Sequence, residues 1–465
     1  EGIQFDLLAN TVDFTAFPRS VLRSLYREVL SGSENIFSPG DARGDLGFRE
    51  AISAYLHGSR GVRCIPDNII IGAGTEYLVQ LVQKLLGRES VFAVENPGYL
   101  RNMRVLAEGG SRVVPVPLDG DGLNPALVPP GDSVVPEFAD VPDLGGAATV
   151  VCVTPSHQFP SGVTMPPARR RELLEWVNGG NERYIIEDDY DSEYRFSGRP
   201  IPALQGMDGS QRVIYMGTFS RSLASSMRIS YMVLPSHLME RFREKLSFYS
   251  CTVSRIEQAV LERFLSRGHF ERHLNRMRTL YRKRRDLLIR NLTARIPGIV
   301  IGGSNGGLHF TVSLQSAARS AARSAARSAV RSAARSAAEQ GESAERRLAA
   351  LAEAEGVKVY SVSRYYMDGA EGIEDAAGGT KNLEPKGKGA NESLPRFVIG
   401  YSHLDEGQIG EVVERLARAW GKGEMRNEKI EKRRECPFSL FYLLISLFFT
   451  FYLLKPLRIV CCVPG

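Results

Sequence analysis

Apolar positions near the start of the chain recur at helical spacing, with Val21, Leu22, Leu25, Val29 and Leu30 marking residues 17–30. The same period returns over residues 44–56, after a turn rich in glycine and aspartate. Stripes of this kind predict two amphipathic helices in an N-terminal arm. From Asn68 the pattern changes to short β-branched runs alternating with helical ones. Strands are predicted at residues 69–71, 91–94, 149–153, 184–186, 213–216 and 229–234, and helices at 77–86 and 99–106. That alternation predicts an α/β fold, a mostly parallel sheet with helices on both faces. A helical stretch over residues 235–292 leads into a smaller α+β segment beginning near Val300. The expected organisation is an arm (1–60), a large domain (61–295), a small domain (296–420) and a tail (421–465).

Three segments depart from this pattern. Residues 316–338 repeat Ser-Ala-Ala-Arg with small variations. Four residues turn a helix by about 400°, so successive arginines drift by roughly 40° and no face stays apolar. The repeat reads as a solvated helix in a surface connection; a phosphate- or nucleic-acid-binding arm is the alternative. Residues 368–394 are rich in Gly, Lys and Glu without periodicity and read as a mobile loop. Residues 438–454 form an uncharged, Phe- and Leu-rich run preceded by Arg426, Lys429, Lys432, Arg433 and Arg434. A helix of that length spans roughly 25 Å, so a membrane anchor with positive flanks and a stretch foreign to the domain are both open.

Composition adds less. The 465 residues, 43% hydrophobic and 24% charged, suffice for a large core in two or three domains. Much of the net charge of +6 comes from the repeat and the basic tail, so charge alone does not point to nucleic acid. Six scattered cysteines lack metal-ligand spacing and fit a reducing, cytoplasmic compartment, and no metal is predicted. The chain opens on Glu1 with no signal-peptide pattern, which reads as a fragment whose true start lies upstream.

Four stretches carry chemistry. Gly72-Ala73-Gly74-Thr75-Glu76-Tyr77 follows a strand and opens a helix, whose free N–H groups suit a phosphate. In Glu95-Asn96-Pro97-Gly98-Tyr99 the aromatic at a strand end is either a stacking platform for a planar ring or a core residue. Residues 185–194, IIEDDYDSEY, place Asp188 at the carboxyl end of a buried strand, where a carboxylate needs a cationic partner. For Asp189, Asp191 and Glu193 a solvated acidic loop stays open. Residues 215–231, YMGTFSRSLASSMRISY, set hydroxyls before an arginine that can fork onto a phosphate.

Together with residues 40–50 (GDARGDLGFRE), 154–162 (TPSHQFPSG), 307–310 (GLHF) and 396–401 (RFVIGY), these stretches resemble the aminotransferase domain of MocR-type regulators of the GntR family. That domain is a branch of the class I aminotransferases, and the resemblance runs over roughly residues 3–420 outside the interruptions. It implies fold type I, a homodimer and pyridoxal 5'-phosphate as cofactor. By the same resemblance Asp188 partners the pyridine nitrogen, Tyr190 stands near the ring hydroxyl and Tyr99 stacks on the ring. Gly74, Thr75, Ser220 and Arg228 form the phosphate cup, Gln158 or its neighbour His157 falls near the ring hydroxyl, and Arg396 clamps the substrate carboxylate.

The family motif reads Thr-Phe-Ser-Lys-Ser-Leu, and here Arg221 takes the lysine's place. A Schiff base needs an amine that can lose its proton, whereas arginine stays charged with a pKa above about 12. The implied function is a ligand-sensing effector domain that binds the cofactor noncovalently together with an amino acid or amine, in a regulator that reaches DNA through a winged helix not present in residues 1–465. A stand-alone aminotransferase and a degenerate, inactive homologue are the alternatives.

Overall fold

The computed structural model describes residues 2–9, 11–32, 34–128, 149–180, 182–198, 201–314, 337–367 and 394–434. Two helices stand near the start of the chain, α1 (Arg19–Gly32) and α2 (Leu46–Arg60). The strands of the large sheet are β2 (Ile69–Gly72), β3 (Val91–Asn96), β4 (Arg112–Asp119), β5 (Gly122–Leu123), β6 (Thr149–Val153), β7 (Arg183–Asp189), β8 (Val213–Thr218) and β9 (Ser230–Val233). They run in the order β2-β9-β8-β7-β6-β3-β4-β5. The central pairs from β8 to β4 are parallel, while β2, β9 and β5 join antiparallel at the edges.

The strand β4 lies outside the sequence expectation because Pro115 and Pro117 interrupt its apolar run. It pairs with β3 along its length but meets β5 only at Leu118 and Asp119. A near-edge strand tolerates prolines, since few of its N–H groups are needed by a neighbour.

One face of the sheet, with Phe92, Val94, Val150, Ile186 and Ile214, packs on α3 (Thr75–Leu86), α4 (Leu100–Glu108) and α7 (Ser236–Lys245). The other, with Ala93, Val151, Ile185 and Val213, packs on α5 (Pro167–Asn178) and α6 (Leu204–Met207). Successive residues of one strand thus serve opposite cores, which is why the strands read as unbroken apolar runs.

The stretch expected as one long helix is three. After α7 come α8 (Arg255–Ser266) and α9 (His269–Arg295). Ser254 starts α8 by accepting the Ile256 N–H at 3.2 Å, and Gly268, in the left-handed region at φ 68°, breaks α8 from α9.

A smaller antiparallel sheet follows in the order β10-β11-β14-β13, made of β10 (Ile299–Gly302), β11 (His309–Leu314), β13 (Tyr360–Ser361) and β14 (Arg396–Gly400). Helices α10 (Ala337–Ala354) and α11 (Glu406–Arg434) accompany it. The first strand, β1 (Phe5–Asp6), pairs in parallel with β12 (Val357–Lys358), tying the start of the chain to its last third. The repeat at 316–338 lies outside the described residues apart from Ala337 and Ala338 in α10, and so do residues 368–393 and 435–465. No helix among the described residues is long and apolar enough to cross a membrane.

Candidate active site

The parallel strands β3, β6, β7 and β8 end on one edge of the sheet, and the turns that follow them collect there. Crevices at the carboxyl ends of parallel strands are where α/β folds bind ligands. The acidic run that closes β7 is distributed by strand alternation. Glu187 accepts the N–H groups of Leu204 and Gln205, both at 2.8 Å. Asp189, two residues on and so facing the same side, meets Arg60 Nε and the Tyr215 hydroxyl, each at 2.7 Å. Asp191 takes His157 Nδ1 at 2.9 Å and the Leu308 N–H at 3.3 Å. The solvated acidic loop is therefore not formed: Asp189 and Asp191 are buried.

Asp188 points the other way. Its Oδ1 is buried without a hydrogen-bond partner. Burial, reinforced by the charge of Asp189 and opposed by Arg221, pushes its pKa up to about 7. Arg221, just past the end of β8, carries the cation felt at Asp188, Tyr99, Tyr190 and His309. The Tyr99 ring stands edge-on to Phe159 with centroids 6.0 Å apart, and Phe159 meets Tyr365 at 4.8 Å and His309 at 5.3 Å.

The Tyr190 hydroxyl donates to the His157 carbonyl at 2.8 Å and lies 3.2 Å from Nδ1 of the same residue. Burial disfavours a charged His157, but the Asp191 carboxylate outweighs it and raises the imidazole pKa. Burial and then the charge of His157 drive His309 well below its ordinary value, with their ring centroids 4.5 Å apart. His157, Asp191 and His309 form a buried cluster in which the Asp191–His157 bond accounts for one carboxylate oxygen and leaves Asp191 Oδ1 and His309 Nε2 without partners.

At the neighbouring turn α3 begins at Thr75, directly after Gly74. Gly74 has φ 102°, and a Cβ there would lie 2.3 Å from Arg228 Nη2, so only glycine fits. Phe219 N–H donates to the Ile229 carbonyl at 2.9 Å, and Ser220 and Arg228 each adjoin one partner of that bond. The Ser220 hydroxyl is buried and unpartnered. Arg228, itself in the left-handed region at φ 51°, is paired with Glu76.

Two further expected site residues have protein partners. The Gln158 amide is spent on Pro97 O at 3.0 Å, Phe159 O at 2.5 Å and Glu95 Oε2 at 3.3 Å, and its oxygen accepts from Ser161. Arg396 starts β14 and reaches the Tyr366 hydroxyl at 3.2 Å, in the wall formed by the aromatic residues beside Tyr99 and Phe159.

Glu95 and Arg60, neither of them expected as site residues, are bonded to residues of these turns, Glu95 to Gln158 and Arg60 to Asp189 and Ser156. Glu95 ends β3, accepts Thr154 Oγ1 at 2.6 Å, and is pushed by burial to a pKa of about 7. Its place at the carboxyl end of a buried strand is the signal that marks Asp188. Arg60 carries no such signal, since its partner lies 129 residues away.

A family model described as aminotransferase class I and II matches residues 3–371. The uncharacterized HTH-type transcriptional regulator YdeL of Bacillus subtilis is 33% identical over 417 residues, covering 89% of this chain and 76% of that one. The probable rhizopine catabolism regulatory protein MocR of Rhizobium meliloti is 37% identical over 279 residues, 60% of this chain and 53% of that one. Among solved structures, a multiple substrate aminotransferase from Thermococcus profundus superposes with a TM-score of 0.69 at 22% identity, covering 92% of this chain and 93% of that one.

Proposed function

Because the chain belongs to the class I and II aminotransferases, in the branch of the MocR-type regulators, we propose that it is an effector domain that senses pyridoxal phosphate with an amino acid or amine and does not link the cofactor covalently. The family is pyridoxal-phosphate dependent, and the residues present fit that group. The orphan Oδ1 of Asp188 suits a protonated ring nitrogen, and the orphan Ser220 hydroxyl, Arg228 and the N-terminus of α3 suit its phosphate. When bound, pyridoxal phosphate supplies an electron-withdrawing ring and a reactive aldehyde.

The observation that carries the reading is Arg221. By the motif resemblance it stands where the family has lysine, and its charge acts on Asp188, Tyr99 and Tyr190. A guanidinium neither attacks an aldehyde nor shuttles a proton near neutral pH, so this chain's residues bind and orient without turnover. In this reading Tyr99 covers one face of the ring, Tyr190 sits at its hydroxyl, and Arg396 holds the carboxylate of the amino ligand. DNA contact belongs to a winged-helix unit outside the described fold, and the assembled form is a homodimer.

Pyridoxal phosphate should bind the parent chain without any mass addition after borohydride, and binding should weaken in Arg228→Ala. Arg221→Lys should create a borohydride-trapped addition of one cofactor per chain, visible by intact mass and by a new absorption band. Transamination by the parent with any amino donor would overturn the proposal, as would failure of the parent to bind the cofactor at all.

A further inference from the structure

The phosphate-cup arginine already has an anion. Arg228 Nη2 lies 2.5 Å from Glu76 Oε2, and Arg101 reaches the other oxygen at 3.3 Å. Glu76 sits in the first turn of α3, at the positive end of that helix's dipole. Its carboxylate is the more enclosed partner, with 17% of the side chain exposed against 48% for Arg228. Across the turn, next to the Phe219–Ile229 bond, the Ser220 hydroxyl remains buried and unpartnered. The guanidinium is thus drawn to the carboxylate while a built donor stands idle. Gly74 allows the contact, because any side chain there would collide with Nη2.

We propose that Glu76 is a resident counter-anion that holds Arg228 in the ligand-free protein and is displaced by the phosphate of an entering ligand, so that it sets how strong an anion the cup accepts. This rests on the pyridoxal-phosphate reading above. A phosphate monoester carries close to two negative charges and three acceptor oxygens, against one charge on a carboxylate, so it can take the guanidinium where singly charged ions cannot.

The test is calorimetric titration of the full chain with inorganic phosphate, paired with absorbance titration with pyridoxal phosphate. Glu76→Gln should bind both about tenfold more tightly. Glu76→Asp keeps the charge but shortens the arm by one methylene, losing the 2.5 Å contact, and should also bind several-fold more tightly. Weaker binding by Glu76→Gln overturns the proposal, because Glu76 would then be positioning Arg228. Tightening in Glu76→Gln with no change in Glu76→Asp also overturns it, because only through-space charge would be acting. If phosphate and cofactor bind none of the three proteins, the cup itself is misread and the functional proposal falls with this one. Binding to the parent with either of the first two results removes the counter-anion alone.

Discussion

Asp188 binds its proton more tightly in the ligand-free fold, with a pKa near 7, than in an unfolded chain, where about 3.9 is usual. A raised carboxylate adds stability below the unfolded value and loses it as pH climbs through the folded one. Glu95, at about 7, and Glu193, pushed by burial to about 8, act in the same direction. These three carboxylates should therefore take stability from the domain between about pH 4 and pH 8. Asp188→Asn should recover part of that loss, up to a few kcal/mol at pH 8 and almost nothing at pH 4, while weakening cofactor binding. Urea denaturation across the range checks it; a difference between variant and parent that does not grow with pH would contradict the assignment. The place of Asp188 at the end of a buried strand was legible in the sequence, because it follows an unbroken apolar run. The hydrogen bonds of Gln158 to Glu95 and Pro97 were not, because the turn after β6 follows no period.

At the level of elements, repeating patterns were readable and their interruptions less so. The apolar runs of β2, β3, β6, β7, β8 and β9 follow from burial on both faces, and the sheet was legible from them. The region from α7 to α9 was legible as helical, but its breaks depend on a serine cap and one left-handed glycine. A comparable local constraint joins the two sheets. Gly307, just before β11, has φ 71°, and a Cβ there would lie 2.0 Å from His157 Cε1 and 2.5 Å from Asp191 Oδ2. Neither ring nor carboxylate has room to retreat, since both are buried. Gly307→Ala should cost about 2–4 kcal/mol from overpacking and backbone strain and should release Tyr190 from its contact with His157. Denaturant midpoints read the first effect. The second appears as altered cofactor absorbance, and an unperturbed variant would mean that this junction is loose.

For the whole molecule, one continuous apolar core matters more than a division into domains. It runs from Phe5, Leu22 and Leu25 in the arm through Ile71, Tyr215 and Tyr231 in the large sheet to Phe310, Phe397 and Trp420 in the last third. Cutting at residues 61 and 295 would expose apolar surface on every side, so the large domain alone should not fold to a stable unit. The intact chain should melt in one calorimetric transition with equal calorimetric and van't Hoff enthalpies. Two resolved transitions would show that the domains are energetically separate. This continuity was hidden from the sequence because it depends on contacts between distant segments, which no local pattern records.

The pairing of β1 with β12 has a consequence for the timing of synthesis. Phe5 lies against Val357, and Leu7 exchanges hydrogen bonds with Lys358 and Gly400. At about 5–20 residues per second, a ribosome needs roughly 20–70 s to deliver that partner after the first strand has emerged. Throughout that interval β1 has no partner strand to join, and its apolar residues must be shielded by something other than the finished fold.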